Sequence, residues 1–400
     1  MSINEKQVLL LALVLVILIT SSGNIFAKNI PYDKNEIESY ILDYVEKWVF
    51  DNYSEHYYLT DYTSTISELE ITNDKFKALI PVVLKTTLKY DDVESLPYVE
   101  GIKDALSISF IKEVVDITST ERNTNPYTIL SKANPHLNST QIQNVLDILT
   151  DQYYDIKECI NTATLLSLDF VVTGDIVNDE ITNISLYIDQ MGEIHDASLY
   201  IPKSKQELKE IGKSDMVEYL DSKESQIRHT APTGYSRYDR IVARDYALEY
   251  TSNATKYCKC GELYGVDYDY WNNSEYPYFD NACHNDCADY VSQAMHEGGI
   301  PIEAGKWERL KDGNSGYGPY GWTWTNVAAL KDYMTSKGYW DKSNFAQCNA
   351  GNILLTSSSH IVMVTLNDTV THRYSGHTRD RKNYQFYDNS DYQYYTIKTN

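Results

Sequence analysis

The chain has 400 residues, of which 42% are hydrophobic, so its length and composition suit about two globular domains rather than a disordered protein. Its 57 acidic residues against 35 basic ones give a formal net charge of −22, and 37 of those acidic residues lie in residues 1–230. Nucleic-acid binding needs clusters of Lys and Arg, and the sequence has none. We therefore expect no nucleic-acid partner.

Residues 1–27 are predicted to be a signal peptide. Lys6 is followed by an apolar run at residues 8–19, which is too short to span a bilayer comfortably, and then by TSSGNIFA, whose small residues permit cleavage after Gly23 or Ala27. An uncleaved anchor is the alternative. The expected mature protein is secreted or associated with the cell wall, without stable membrane insertion.

Residues 28–230 are predicted to form an acidic α+β domain. The segment IESYILDYVEKWVF has a helical apolar face made of Ile37, Ile41, Tyr44, Val45 and Trp48. The segments LLSLDFVV, ITNISLYI and ASLYI are rich in strand-forming residues, with turns expected at 178–179 and 191–192. We expect helices followed by a small antiparallel sheet, and then a polar helix and linker that end the domain near residue 230.

Residues 231–400 are predicted to form a second α+β domain, with three helices before several strands. The helices are RYDRIVARDYALEYTSN, with Val242, Tyr246 and Tyr250 on one face; ADYVSQAMHEGG; and TNVAALKDYMTSKG, with Thr325 as its cap. The strands are NILLTS, HIVMVTL, HRYSGHT and YQFY. This order is typical of a papain-like cysteine hydrolase.

Cys287 is the candidate nucleophile, because a helix start stabilises a thiolate through its free N–H groups and its dipole. Asn285 and Asp286 are residues that favour the helix cap just before it. His360 opens the apolar strand HIVMV and is the candidate base, and His372 or His377 is available as a third member.

The C-terminal part resembles a known family in five blocks: YDRIVARDYALEY, NDCADYVSQAMHEGGIP, WTWTNVAAL, GNILLTSSSHIVMVT and SGHTRDRKN. These blocks resemble the putative amidase domain family of exported bacterial proteins, a papain-like branch related to NlpC-type cell-wall peptidases. The resemblance implies a cysteine amidase or peptidase that acts on cell-wall peptides, with Cys287 as nucleophile and His360 as base. An inert wall-binding protein that has kept the fold is the alternative.

The resemblance also bears on the remaining site residues. Spacing alone favours His372 as the group that orients His360, but the resemblance runs through His377-Thr378, so His377 is expected in that role. Asp286, Trp322 and Trp324 are expected to contact substrate, the two tryptophans by lining a groove. Asp289 stands where the family has asparagine, and its carboxylate is expected to raise the thiol pKa. Asp380 lies between Arg379 and Arg381, which predicts a surface ion pair.

The other cysteines allow two interpretations. One is a zinc site whose ligands would come from Cys258, Cys260, Cys283, His284 and Cys287. In an exported chain, however, a disulfide from Cys283 to Cys258 or Cys260 is favoured over zinc. We expect no metal and no cofactor.

Overall fold

The computed structural model describes residues 34–72, 74–115, 125–178, 180–222, 225, 238–276, 286–308, 321–356 and 360–398. The expected signal peptide, the linker at residues 226–237, and Cys283, His284 and Asn285 lie outside these residues. None of the described helices is long and apolar enough to cross a membrane.

The fold is mixed α+β, as expected. The N-terminal half contains the helices α1 (Lys34–Tyr53), α2 (Pro97–Leu106), α3 (Lys112–Val115), α4 (Pro126–Ala133), α5 (Ser139–Cys159) and α6 (Lys205–Asp221). Its strands are β1 (Tyr57–Ser64), β2 (Glu68–Thr72), β3 (Lys75–Leu88), β4 (Thr164–Val177), β5 (Glu180–Gln190) and β6 (Glu193–Asp196).

The C-terminal half contains the helices α7 (Arg240–Glu249), α8 (Cys287–Glu297), α9 (Trp322–Thr325) and α10 (Val327–Ser336). Its strands are β7 (Trp340–Ser343), β8 (Ile353–Leu355), β9 (Ile361–Asn367), β10 (His372–Gly376), β11 (Arg381–Phe386) and β12 (Gln393–Ile397). The predicted order of helices and then strands is therefore found in this half.

One sheet runs through both halves. Its strand order is β1-β3-β4-β11-β10-β9-β8-β12-β7, with β2 on β3, β5 on β4 and β6 on β5. The halves join where β4 and β11 run parallel and Ser167 lies opposite Tyr384. The described strands of the two halves thus share one sheet, and the division into two domains near residue 230 stays a prediction.

Buried polar contacts reinforce this joint. The Arg373 side chain is fully buried and donates to the Leu165 carbonyl at 2.5 Å and to the Thr86 hydroxyl at 2.8 Å. The Tyr57 hydroxyl donates to Asp368 Oδ2 at 2.8 Å, and Arg373 lies 3.7 Å from the same carboxylate. Separating the halves would expose this charge network or leave part of it unpaired, which is costly in a buried site.

Several local expectations are corrected. Strands β1–β3 precede most of the N-terminal helices, so helices do not come first there. Val242 lies on the exposed side of α7, while Ala243, Tyr246 and Ala247 face the core. Helix α10 is capped by Asn326, whose side chain accepts from the Ala329 N–H, and not by Thr325.

The two faces of β9 belong to different cores. Ile361 and Met363 pack in the cluster that contains α8, whereas Val362 and Val364 pack with Tyr374 and other aromatic residues on the opposite face. This alternation follows from the period of two along a strand. Side chains near the start of β9 therefore lie either on the α8 face or on the outer face.

Candidate active site

Cys287 is the first residue of α8, as predicted. Tyr290, Val291, Ala294 and Met295 are fully buried along this helix and fix it against the sheet. Burial raises the thiol pKa, as does Asp286, while the Ile361 and Ala288 backbone N–H groups and the Thr378 hydroxyl work against that increase. The buried resting group is therefore a thiol rather than a thiolate.

Asp286 and His377 form a buried pair beside the thiol. His377 Nδ1 lies 2.6 Å from Asp286 Oδ2, and both side chains are 2% exposed. The His377 ring is stacked between Trp271, at 4.3 Å between centroids, and Tyr290, at 4.0 Å. Asp286 was expected to contact substrate, but in this conformation its carboxylate contacts His377.

This pair must hold a proton between its two members. His377 Nε2 lies 2.7 Å from the Tyr250 carbonyl, which can only accept, so Nε2 carries a proton. Burial lowers the pKa of His377 and so favours the neutral ring. A neutral Nδ1 and an ionised carboxylate would repel each other at 2.6 Å, so one proton is shared between them.

Among the described residues, no hydrogen bond joins His377 to His360. Both ring nitrogens of His377 are occupied, by Asp286 and by the Tyr250 carbonyl. The expected hydrogen bond that would orient His360 is therefore absent here, and any role of His377 in catalysis would act through Asp286, which is joined to Cys287 by a peptide bond.

The His360 ring lies on the outer face of the sheet. A Cβ placed on Gly376 would be 2.8 Å from Val362 Cγ1 and 3.9 Å from His360 Nε2, so the ring lies beside these residues. Val362 belongs to the outer face, whereas the thiol lies near Ile361. Burial, and then the charge of Arg381, lower the pKa of His360 to about 4. At neutral pH His360 is therefore a free base.

His372 occupies a different environment. Its ring is buried on the outer face, 3.8 Å from the Phe345 ring centroid and 5.6 Å from that of Phe386. Burial lowers the pKa of His372 to about 3. The structure thus places His372 in an aromatic cluster and not near Cys287.

The two expected tryptophans are separated by burial. Trp324 is fully buried, and its indole N–H donates to Asp289 at 2.5 Å, whereas Trp322 is 47% exposed. Only Trp322 presents a surface for stacking. The acidic neighbour that raises the thiol pKa is Asp286 and not the expected Asp289, whose carboxylate accepts from Trp324.

Asp380 is a buried residue, whereas the sequence predicted it on the surface. Its carboxylate accepts from the Trp271 indole N–H at 3.1 Å and from the Asp267 backbone N–H at 2.9 Å, and it is fully buried. Burial raises the pKa of Asp380 to about 6. The expected surface ion pair is wrong, because Arg379 pairs with Asp189 and Arg381 pairs with Asp169.

Cys258 is disulfide-bonded, and the Cys260 sulfur lies 2.6 Å from the Cys258 sulfur, whereas Cys287 is a free thiol. A disulfide-bonded sulfur is not a thiolate ligand, so Cys258 cannot belong to the zinc site that the cysteine spacing suggests. No group of three or more His, Cys, Asp or Glu side chains within the described ranges could hold a metal ion.

Comparison with known proteins gives one match. The family model described as "Putative amidase domain" matches residues 237–398, which is less than half of the chain. No curated protein and no solved structure matches the chain. The C-terminal half is thus similar to an amidase domain, and that similarity suggests a hydrolase that acts on C–N bonds.

Proposed function

We propose that the protein is an exported cysteine amidase or peptidase that cleaves an amide bond in cell-wall peptides. The observation that carries this proposal is the position of the Cys287 thiol, at the start of a buried helix and beside the Ile361 N–H, one residue after His360. The match to an amidase domain over residues 237–398 supports the reaction class.

In the proposed reaction the Cys287 sulfur attacks the amide carbonyl carbon, and the thiol proton passes to His360. The N–H groups at the start of α8 stabilise the oxyanion. His360 then gives its proton to the leaving amine, and water hydrolyses the thioester. A neutral imidazole suits this role, because it takes the proton only as the bond forms.

The proposal requires a movement of His360. Its ring lies on the Gly376 side of β9, while the thiol lies on the α8 side. Because His360 immediately precedes β9, rotation about its side-chain torsions can carry the ring around the end of the strand. We assign His377 a positioning role, in which the buried pair with Asp286 holds the residue next to Cys287.

The test is digestion of purified peptidoglycan and of simple amide and ester substrates with residues 28–400, followed by mass analysis. Products are expected with the native chain and not with Cys287→Ala. Cys159→Ser, which changes a half-buried thiol at the end of α5, is the matched control and should leave product formation intact. Equal product from Cys287→Ala and the native chain would refute the cysteine mechanism.

A wall-binding protein without activity is the second candidate. The observation that favours it is the resting arrangement, with a buried neutral thiol and with His360 on the other face of β9. A thiol-reactive probe together with peptidoglycan sedimentation separates the two. Binding to peptidoglycan without probe labelling at Cys287 and without products would favour this candidate.

A further inference from the structure

The turn between β10 and β11 brings a side-chain hydroxyl to the Cys287 sulfur. This hydroxyl belongs to Thr378, in the turn at residues 377–380, and it opposes the increase in the thiol pKa that burial causes. The backbone N–H groups of Ile361 and Ala288 act on the sulfur in the same direction. Three donors, from the turn, from β9 and from α8, therefore lie next to the atom that is proposed to attack the substrate.

The contacts of neighbouring residues place this hydroxyl independently of its effect on the thiol. His377 directly precedes Thr378, and its Nδ1 lies 2.6 Å from Oδ2 of Asp286, the residue directly before the nucleophile. That contact brings the two following residues, Thr378 and the nucleophile, close together. Trp271 stacks on the His377 ring at 4.3 Å and donates its indole N–H to Asp380 at 3.1 Å. The turn is thus anchored on both sides of Thr378.

Thr378 has an unfavourable backbone conformation. Its φ of 85° lies in the left-handed region, which glycine enters readily and β-branched residues avoid. Such strain persists only where the surrounding structure enforces it, and it is concentrated at functional sites. Glycine would relieve the strain at this position. The presence of threonine therefore indicates that its side chain has a use that offsets the strain.

The Thr378 hydroxyl has no competing partner. Its oxygen is buried and makes no hydrogen bond of good geometry within the described part of the chain. A neutral thiol is a weak acceptor, so the resting sulfur satisfies this donor poorly. A thiolate is a much better acceptor, because hydrogen bonds to charged groups are about twice as strong as neutral ones. Since a hydroxyl hydrogen rotates about its C–O bond, it can turn to the sulfur as the thiol proton leaves.

We propose that the Thr378 hydroxyl is a catalytic group that donates a hydrogen bond to the Cys287 sulfur when the sulfur is ionised. This inference rests on the proposed amidase function and adds a donor for its first step. The buried sulfur lies next to the Asp286 carboxylate, which opposes a second negative charge. The thiol proton still passes to His360, and the hydroxyl keeps its own proton. The α8 N–H groups then remain available to the oxyanion of the substrate.

Ionisation of the thiol is measured directly in the purified protein. One readout is the ultraviolet absorbance of the thiolate across pH, taken as the difference from the matching Cys287→Ala protein. The other is the rate of iodoacetamide labelling at Cys287, located by mass analysis. Thr378→Val keeps the β-branched shape and removes the hydroxyl, so the acid dissociation constant of the thiol and the labelling rate should both fall about tenfold. Thr378→Ser keeps the hydroxyl and should remain close to the native values.

Two results of this measurement would overturn the inference. One is an unchanged dissociation constant and labelling rate in Thr378→Val. The other is a Cys287 thiol that neither ionises nor reacts in the folded native protein, because three donors at the sulfur should make its thiolate accessible.

Glycine separates the role of the hydroxyl from that of the backbone. Thr378→Gly relieves the strained φ and should not lower the urea midpoint, yet thiol ionisation should fall as far as in Thr378→Val. Thr369 is the matched control, because it also has a positive φ, of 70°, and a buried hydroxyl without a partner among the described residues. It lies between β9 and β10, at the end of β9 away from Ile361. Thr369→Gly should leave thiol ionisation unchanged. If both glycine variants leave it unchanged, Thr378 is only structural and the assignment fails.

Amide hydrolysis distinguishes this inference from the proposed function. If the native protein cleaves an amide in a Cys287-dependent way and Thr378→Val does so at the full rate, the inference is wrong and the amidase function stands. If Thr378→Val lowers thiol ionisation but the native protein cleaves no amide, the contact between hydroxyl and sulfur stands and the proposed reaction is wrong.

Discussion

Replacing Asp286 by alanine is expected to lower the free energy of unfolding by about 2–4 kcal/mol. The pair with His377 is 2% exposed on both sides, so alanine leaves a buried imidazole nitrogen without a partner. The Asp286 side chain makes no helix-capping hydrogen bond, so loss of a cap adds nothing to this cost. Most of the change should therefore come from the contact with His377.

Asp286→Asn is the matched variant. The asparagine amide can donate to His377 Nδ1 while Nε2–H still donates to the Tyr250 carbonyl, so a neutral ring keeps both hydrogen bonds. We expect this variant to lose less than about 1 kcal/mol. Urea unfolding followed by tryptophan fluorescence measures both variants. If asparagine costs as much as alanine, the interpretation of a shared proton in the pair is refuted.

The remaining predictions concern four other residues. Cys287→Ala should abolish turnover and leave the unfolding midpoint within the error of the native chain; a large loss of stability would assign the thiol a structural role. Since the pKa of His360 is lowered to about 4, the base stays unprotonated as pH falls, and kcat/KM should hold from pH 7 to about 5; an acid limb near 6.5 would contradict this. His372→Phe should keep turnover within about twofold, because the ring lies among aromatic residues, and a 100-fold loss would return His372 to the active site. Tyr57→Phe should cost about 1–3 kcal/mol in urea unfolding, because it removes a buried donor from Asp368; no change would show that this contact does not hold the halves together.

The C-terminal fold could be predicted because its signals are local. The apolar stripe from Tyr290 to Met295 predicts a helix that begins at Cys287, and the structure confirms it. In the N-terminal half, β3 has the period of two of a half-buried strand, but its lysines and Pro81 weaken that signal. Local sequence patterns therefore predicted the secondary structure of the C-terminal half better than that of the N-terminal half.

The side-chain pairs of the site could not be predicted in the same way. Asp286 and His377 are 91 positions apart, and the sequence alone does not indicate which carboxylate contacts a given histidine. Asp380 between two arginines suggests a surface ion pair, yet Asp169 and Asp189 from the other half take those arginines. Such partners are set by packing between residues that are far apart in the chain. A single sequence does not reveal that packing.

The shared sheet has a consequence for the order in which the chain folds. One edge of β4 is covered by β3, and the other is covered by β5 from Phe170 onward and by β11 at Ser167. While the N-terminal half is synthesised, the apolar edge before Phe170 has no neighbour, and such edges recruit other chains. Its protection depends on residues 381–386, near the end of the chain. A nascent or truncated protein that lacks β11 should therefore aggregate, and folding is completed only when the last strands arrive.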